Sequence, residues 1–250
     1  MYWSNEEVLD KYIFKYSLCK DPISEDERKK IISDLADDMP GMKVREYFEN
    51  QAKIFNSYEH MVCAVERSSN KFIGVFGSKW YEDYSTPFLY LWTAFIVKRY
   101  QSSLLFPEMV SKHINHIKET KYLPKLIVLK SYHPTVYKTL TLFEKIPGVT
   151  LYPKLDIDNN NHPLSLEANE IAKFIAPNAE LDKKTGALVN GMGTAGIKFY
   201  SSRPVCSQNQ INDYFTNALD AYDQMMCILK FENDDILDKA LKIVRRISRI

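Results

Sequence analysis

The spacing of apolar residues changes between residues 88 and 121, and this change predicts a strand, a turn and a helix. Nine of the ten residues from Phe88 to Val97 are apolar, and most are aromatic or β-branched, which is typical of a strand buried on both faces. The polar segment 98–103 follows. Beyond it, apolar residues recur at helical spacing, at Leu104, Leu105, Met109, Val110, Ile114 and Ile117. A strand that enters a helix through such a turn offers free N–H groups and a helix dipole, a favourable place for a phosphate.

The residues on either side of this segment predict an alternation of β and α elements. Ser24 and Glu27 form a capping box that opens a helix after a first strand at 12–19. The further predicted elements are a helix at 44–54, strands at 61–65 and 72–79, a strand at 125–129, a helix at 134–146 and a strand at 150–152. The predicted order is therefore strand, helix, helix, three strands, helix, strand, helix and strand.

Residues 156–250 have a less regular pattern, which predicts a C-terminal extension. The stretch from Gly191 to Gly196 matches G-x-G-x-x-G, but strand-like residues follow it where a dinucleotide site needs a helix. We therefore interpret the glycine-rich segment 186–196 as a flexible connection or a lid over a neighbouring pocket. The other predicted elements are a helix at 165–174, a helix at 211–222, a strand at 225–231 that could extend the main sheet, and a last helix capped by Asn233. The apolar stripe of the last helix favours docking on the body or on a second subunit, which makes a homodimer possible.

Composition and charge narrow the partners that the chain could have. The 250 residues are 45% hydrophobic and 26% charged, enough for a globular core. A net charge of +1 provides no global field, so we predict neither a nucleic-acid nor a membrane partner. The N-terminal residues do not resemble a signal peptide, and the run at 88–97 is too short to cross a bilayer. Cys19, Cys63, Cys206 and Cys227 show no CxxC spacing, which indicates free, mostly buried thiols and a cytoplasmic protein.

Two histidines of the central helix raise the question of a metal site. His113 and His116 lie three residues apart and could share a metal ion, but the sequence offers no third ligand. We therefore predict no metal site and interpret the two side chains as a solvent-facing pair.

The element order up to residue 155, with a phosphate-suited turn after the fourth strand, resembles the GNAT superfamily of N-acetyltransferases. In that superfamily the turn has the pattern R/Q-x-x-G-x-G/A. The matching turn here runs from Gln101 to Phe106, with Gln101 at the first position and Leu104 and Phe106 in place of the two small residues. The resemblance implies a mixed α/β (α+β) fold with a mostly antiparallel central sheet flanked by helices. It further implies a core at 1–155, on which the extension at 156–250 packs.

The resemblance also implies an acyl-CoA co-substrate, either acetyl-CoA or a longer acyl-CoA. Its pantetheine would run along the backbone of Phe95, Ile96 and Val97. Its phosphates would lie on the following turn, at Gln101, Ser102, Ser103, Leu104 and Leu105. The Ser102 and Ser103 hydroxyls can add donors there, and Lys98 and Arg99 add positive charge.

A second motif of the superfamily, N-x-x-A-x-x-L-Y-E-K-x-G-F, carries a tyrosine that can protonate the departing thiolate. Phe143 stands at that position, between Leu142 and Glu144, so an acid must come from elsewhere, and Tyr137, Tyr132 and His133 are near in sequence. We select Tyr137 as the candidate acid and Glu82, with Asp83 beside it, as the candidate base. Orientation of the amine against the thioester can also supply much of the rate.

Three hypotheses from different classes remain open. The first is an acyltransferase that moves an acyl group from acyl-CoA to an amine of a small molecule or a peptide. The second is a catalytically silent protein of this fold that binds a ligand or partner in the same cleft. The third is an acyltransferase fed by an acyl carrier protein, whose acidic surface would meet Lys98, Arg99 and Lys112.

Overall fold

The computed structural model describes residues 3–18, 23–101, 103–120, 125–155, 157–192 and 198–247. The chain folds into two compact units. Unit one comprises Met1–Pro124 and Asp238–Ile250, and unit two comprises Lys125–Leu237. The predicted division into 1–155 and 156–250 stays a prediction.

Unit one is built on five antiparallel strands in the order β1-β2-β3-β4-β5. They are β1 (Asn5–Val8), β2 (Tyr12–Leu18), β3 (His60–Glu66), β4 (Lys71–Tyr81) and β5 (Phe88–Ile96). The helices of this unit are α1 (Glu25–Asp37), α2 (Val44–Asn50), α3 (Ile54–Ser57) and α4 (Leu105–Thr120), and a 3-10 turn spans Lys98–Tyr100. The Ser24 half of the capping box is confirmed, because the Ser24 side chain accepts a hydrogen bond from the Glu27 N–H. The Glu27 carboxylate accepts from the Ser24 hydroxyl. The single helix predicted at 44–54 is wrong: the chain leaves helical geometry at Gln51, where φ is −123°.

Helix α4 packs its apolar stripe on the sheet of unit one. Met109, Ile114 and Ile117 are 0–3% exposed, so the predicted stripe is confirmed at these positions. Close contact depends on Gly74 of β4, because a Cβ added there would lie 2.5 Å from the Met109 sulfur. The helix is thereby held near the strands that precede it.

Unit two has its own antiparallel strands in the order β6-β10-β9-β8, with β7 also paired to β10. They are β6 (Leu126–Ser131), β7 (Val149–Tyr152), β8 (Glu180–Asp182), β9 (Ala187–Val189) and β10 (Gln224–Phe231). Its helices are α5 (Pro134–Glu144), α6 (Ser165–Ile175) and α7 (Asn209–Ala218). The last described helix, α8 (Asp234–Ile247), has its first residues in unit two and the others in unit one. The first part of the glycine-rich segment is strand β9, contrary to a purely flexible connection, while residues 193–196 lie outside the described residues.

The fold class predicted from the sequence is confirmed: the protein is mixed α/β, with mostly antiparallel strands flanked by helices. No helix within the described ranges is long and apolar enough to cross a membrane. Cys63 and Cys227 are free and buried, and Cys206 is free and partly exposed, as expected for most thiols. Cys19 lies outside the described residues.

Candidate functional site

The turn between β5 and α4 is closed by its own backbone hydrogen bonds. The N–H of Gln101 donates to the Lys98 carbonyl over 3.2 Å, and that of Ser103 donates to the Tyr100 carbonyl over 3.0 Å. Upstream, the Val97 N–H donates to Ile73 and continues the ladder between β4 and β5. The turn therefore has a defined shape, in which several of its donors already have partners.

The side chains of Gln101 and Ser103 stabilise the same turn. The Gln101 amide nitrogen donates to the Ile96 carbonyl over 3.0 Å. The Ser103 hydroxyl donates to the Tyr100 carbonyl over 2.7 Å and accepts from the Leu105 N–H over 3.1 Å, and so closes a Ser turn that caps the start of α4. Since a hydroxyl has one proton to donate, Ser103 must give up the bond to Tyr100 to donate to a phosphate. Ser102 lies outside the described residues.

The two bulky residues that depart from the superfamily pattern point away from the interior of the turn. Leu104 is 42% exposed. The Phe106 ring lies against Phe76 of β4, with ring centroids 5.6 Å apart and an edge-to-face arrangement. Phe106 is therefore engaged by the sheet of unit one, and Leu104 is in contact with solvent.

One of the two positive charges around the turn, that of Arg99, is paired with carboxylates. Arg99 forms ion pairs with Glu66 at 3.0 Å and with Asp38 at 3.1 Å. The Tyr100 hydroxyl also donates to Glu66, and hydrogen bonds from Ser69 and Tyr100, with the Arg99 charge, lower the pKa of Glu66. Lys98 is exposed. The turn thus has less free positive charge than its sequence indicates.

The strand residues predicted to hold a pantetheine are firmly packed. Ile96 and Val97 are 7% and 0% exposed, and Ile96 pairs with Gly74 of β4. The partly buried Phe95 ring contacts Tyr47 and Phe48 of α2, with centroids 5.3 and 5.7 Å away. These packed side chains fix the end of β5. A cofactor there would therefore contact the backbone N–H and carbonyl groups of the strand.

The two predicted catalytic residues belong to different units. Tyr137, in α5 of unit two, is 2% exposed, and its hydroxyl donates to the Pro153 carbonyl over 2.7 Å. Glu82 follows β4 in unit one and is exposed. The Tyr137 proton is thus held in a hydrogen bond to the main chain, which an acid role would have to break.

The interpretation of His113 and His116 as solvent-facing is wrong. They are 1% and 6% exposed, because α4 turns them onto β2, β3 and β4. His113 Nε2 lies 2.8 Å from the Ser78 hydroxyl, and the His116 ring lies near Tyr16 and His60, with centroids 4.9 and 5.6 Å away. Burial, together with the charges of His60 and His116, lowers the pKa of His113 to about 3. Over the described ranges no three His, Cys, Asp or Glu side chains could hold a metal ion.

A lysine that sequence reasoning missed lies at the end of β6 in unit two. Lys130 is half-buried, and its Nζ donates to the Gly191 carbonyl over 3.0 Å. Burial lowers the pKa of this amine to about 8. The signal in the sequence was weak: a single lysine directly follows the apolar run of a predicted strand, where a cation is costly unless it has a partner.

No protein-family profile matches the chain, and no curated protein sequence matches it. Among solved structures, it is similar to an aminoglycoside acetyltransferase from an uncultured soil metagenomic sample in complex with trehalose, at 15% identity and a TM-score of 0.39 over 56% of this chain and 89% of that chain. It is also similar to the GNAT family N-acetyltransferase YhbS of Escherichia coli in complex with CoA, at 9% identity and a TM-score of 0.40 over 53% and 69% of the two chains. A third similar structure is the diaminobutyrate acetyltransferase EctA of Paenibacillus lautus with its substrate and coenzyme A, at 11% identity and a TM-score of 0.39 over 61% and 86%.

Several of the similar structures are GNAT-family acetyltransferases, in agreement with the resemblance noted in the sequence. At these identities and TM-scores the likeness says nothing about the activity of this chain.

Proposed function

We propose that this chain transfers an acyl group from acetyl-CoA or a longer acyl-CoA to an amine. The observation that carries the proposal is the junction of β5 and α4, where a buried strand enters the N-terminus of a 16-residue helix through a compact turn. Such an N-terminus favours a phosphate. Because Phe106 packs on Phe76 and Leu104 is exposed, the bulky residues at the two small-residue positions do not fill the interior of the turn.

In this proposal the backbone of Phe95, Ile96 and Val97 holds the pantetheine, and residues 101–105 hold the phosphates. Gln101 and Ser103 would exchange their bonds to Ile96 and Tyr100 for bonds to phosphate oxygens. Hydrogen bonds to a charged acceptor are stronger than those between neutral groups, which supports such an exchange.

Catalysis in this proposal depends first on orientation of the amine against the thioester carbonyl. Tyr137 as acid and Glu82 as base are additional proposed roles. A Glu82→Gln variant should lower kcat without raising KM if the carboxylate accepts the amine proton. Tyr137→Phe is less informative, because it also removes the bond to Pro153.

The central experiment places a negative charge at the turn without disturbing its cap. Leu104→Glu suits this purpose, since the side chain is 42% exposed. Isothermal titration with acetyl-CoA should show saturable binding to the natural chain and binding at least about ten-fold weaker, or about 1.4 kcal/mol, for Leu104→Glu. Leu104→Gln is the isosteric neutral control. Leu142→Glu adds the same charge at a leucine of α5 that is 49% exposed, and it should leave binding unchanged.

Absence of acetyl-CoA and longer acyl-CoA binding would refute the proposal. Binding without release of free CoA over a broad amine panel would instead favour the catalytically silent alternative, and binding of an acylated carrier protein would favour the carrier-fed one. The ion pairs of Arg99 with Glu66 and Asp38 and of Lys112 with Glu7 weaken the carrier alternative, since these cations already have partners.

A small-molecule or peptide amine is the proposed acceptor. A cytoplasmic location and a homodimer through α8 are likewise part of the proposal. Sedimentation of the natural chain and of a variant with a charge on the apolar stripe of α8, Ile243→Glu, would test the homodimer.

A further inference from the structure

Lys130 is a half-buried base that has no carboxylate partner among the described residues. It follows four buried residues of β6, and it pairs in register with Met226 of β10, which is fully buried. Among the described residues no carboxylate forms an ion pair with it, and burial is the cause of its lowered pKa. A buried cation without a counter-ion is costly, so burial increases the share of the neutral amine.

The hydrogen-bond acceptor of Lys130 is held rigidly. The Asn190 N–H donates to the Asp223 carboxylate, the Gly191 N–H to the Leu188 carbonyl, and the Met192 N–H to the Tyr222 carbonyl, each over 2.9 Å. A Cβ added at Gly191 would lie 2.9 Å from the Leu188 carbonyl oxygen, so the segment approaches β9 closely. The Gly191 carbonyl therefore fixes one N–H of Lys130. In the neutral amine this leaves the lone pair and one further N–H for other partners.

We propose that Lys130 is a nucleophile that takes an acyl group from a thioester and becomes an Nε-acyl-lysine. The neutral amine attacks the thioester carbonyl carbon, a C–N bond forms, and the C–S bond breaks with its electron pair on sulfur. The amine proton passes to the thiolate, which leaves as a free thiol, so no oxidant or further reactant is needed. Lysines desolvated by their surroundings are activated in this way.

Acylation removes the charge that burial makes costly. An acylated Lys130 keeps one N–H, which can still donate to the Gly191 carbonyl, and it cannot become charged. With acyl-CoA as donor this inference rests on the proposed function, whereas with a thioester that lacks the nucleotide it does not.

Lys230 provides a matched comparison on the neighbouring strand. It lies in β10 of the same unit and forms an ion pair with Glu167 at 3.3 Å. At about pH 7 the pKa of about 8 gives Lys130 roughly 300-fold more neutral amine than it would have in the unfolded chain. Lower basicity reduces reactivity, as it does for thiolates. A net advantage of about ten-fold is therefore expected for Lys130.

The experiment incubates the full chain with S-acetyl-N-acetylcysteamine, and separately with acetyl-CoA, at about pH 7 and about pH 10. Peptide mass spectrometry then gives the acetylation rate of each lysine. With the small thioester we expect Lys130 to react about ten-fold faster than Lys230 at the lower pH, with a smaller ratio at the higher pH. Lys130→Arg should remove this modification and leave that of Lys230 unchanged.

The outcomes separate this inference from the proposed function. Acetylation of Lys130 at or below the rate of Lys230 with the small thioester at about pH 7 overturns the inference, even if acetyl-CoA binds. Selective acetylation by the small thioester in a chain that does not bind acetyl-CoA upholds the inference and refutes the proposed function. Because the rates are measured on the natural chain, the conclusion does not depend on the folding of Lys130→Arg.

Discussion

The β5–α4 junction of unit one and the β6–α5 junction of unit two both carry basic residues where a strand leads into a helix. In the first, Arg99 has two carboxylate partners, and the hydroxyl of Ser103 closes the turn. In the second, His133 caps α5 by accepting from the Thr135 N–H, while Lys130 has only a carbonyl as its described partner. The difference shows that the partners of a basic residue, and not only the number of basic residues at a junction, determine what that junction can bind or react with.

The balance of charge explains why the two junctions suit different chemistry. A paired guanidinium is a stable structural element, and exchanging its carboxylates for phosphates gains little. An amine enclosed without a counter-ion has a lowered pKa and reacts more readily. In the two proposals above, anion binding at the first junction would therefore depend on the helix N-terminus, and acyl transfer at the second would depend on the amine.

The largest expected effect on the free energy of unfolding comes from a substitution at Gly77 of β4, next to the strand that leads into the first junction. A Cβ at Gly77 would lie 2.5 Å from the Tyr58 ring, which is buried and bonded through its hydroxyl to Thr93 of β5. Gly77→Val should therefore lower the free energy of unfolding by about 3 kcal/mol through overpacking. Ala94→Val adds branched methyl groups at an exposed position of β5 and should change it by less than about 0.5 kcal/mol. Urea unfolding measures both, and equal stability of the two variants would contradict the prediction.

Lowering the pH should reduce the free energy of unfolding of unit one through protonation of His113. Its pKa is about 3 in the folded chain and near 6.5 when unfolded, so the unfolded chain binds the proton first as pH falls below 6.5. Stability is thus present above that pH and is lost progressively below it, by about 2 kcal/mol between pH 6.5 and pH 5. His113→Leu should lose about 1 kcal/mol at neutral pH, since Ser78 loses its partner, but it should show a flatter pH profile. Parallel profiles of the two proteins in urea unfolding would refute this assignment.

The sequence predicted the parts of the molecule that depend on local pattern. The β5 strand, the α4 stripe and the Ser24 cap follow from neighbouring residues, whose spacing and side-chain chemistry specify them. Strand β1 was missed because Asn5–Val8 is mostly polar and is held by pairing with β2. The burial of His113 depends on Ser78, which is 35 residues away, and the partner of Lys130 is 61 residues away. Such distant contacts are not encoded in the local pattern.

Replacing Lys130 and the ion-paired Lys230 by an apolar residue should change the free energy of unfolding in opposite directions. At about pH 7 Lys130 is largely protonated in the folded chain, and burial of this charge costs stability, since the pKa is about 8 rather than 10.5. Lys130→Met should therefore raise the free energy of unfolding by about 1 to 2 kcal/mol, a gain that disappears as pH approaches 10.5. Lys230→Met removes the ion pair with Glu167 and should lower it by up to about 1 kcal/mol. Thermal unfolding that shows both variants destabilised equally would remove the distinction between the two lysines.

The smallest expected effect on stability is that of Ser103→Ala, which tests whether Ser103 only caps α4 or also binds a phosphate. Ser103→Ala removes the hydroxyl that accepts from the Leu105 N–H and donates to the Tyr100 carbonyl, so the free energy of unfolding should fall by about 1 kcal/mol. Ser57→Ala is the control, because the hydroxyl of this last residue of α3 donates to the Lys53 carbonyl before the helix, and the substitution should change stability by less than about 0.5 kcal/mol. If Ser103 also donates to a phosphate, its variant should bind acetyl-CoA several-fold more weakly than Leu104→Gln does. A loss of stability with unchanged acetyl-CoA affinity would restrict Ser103 to the cap and assign the phosphate contacts to the backbone and Gln101.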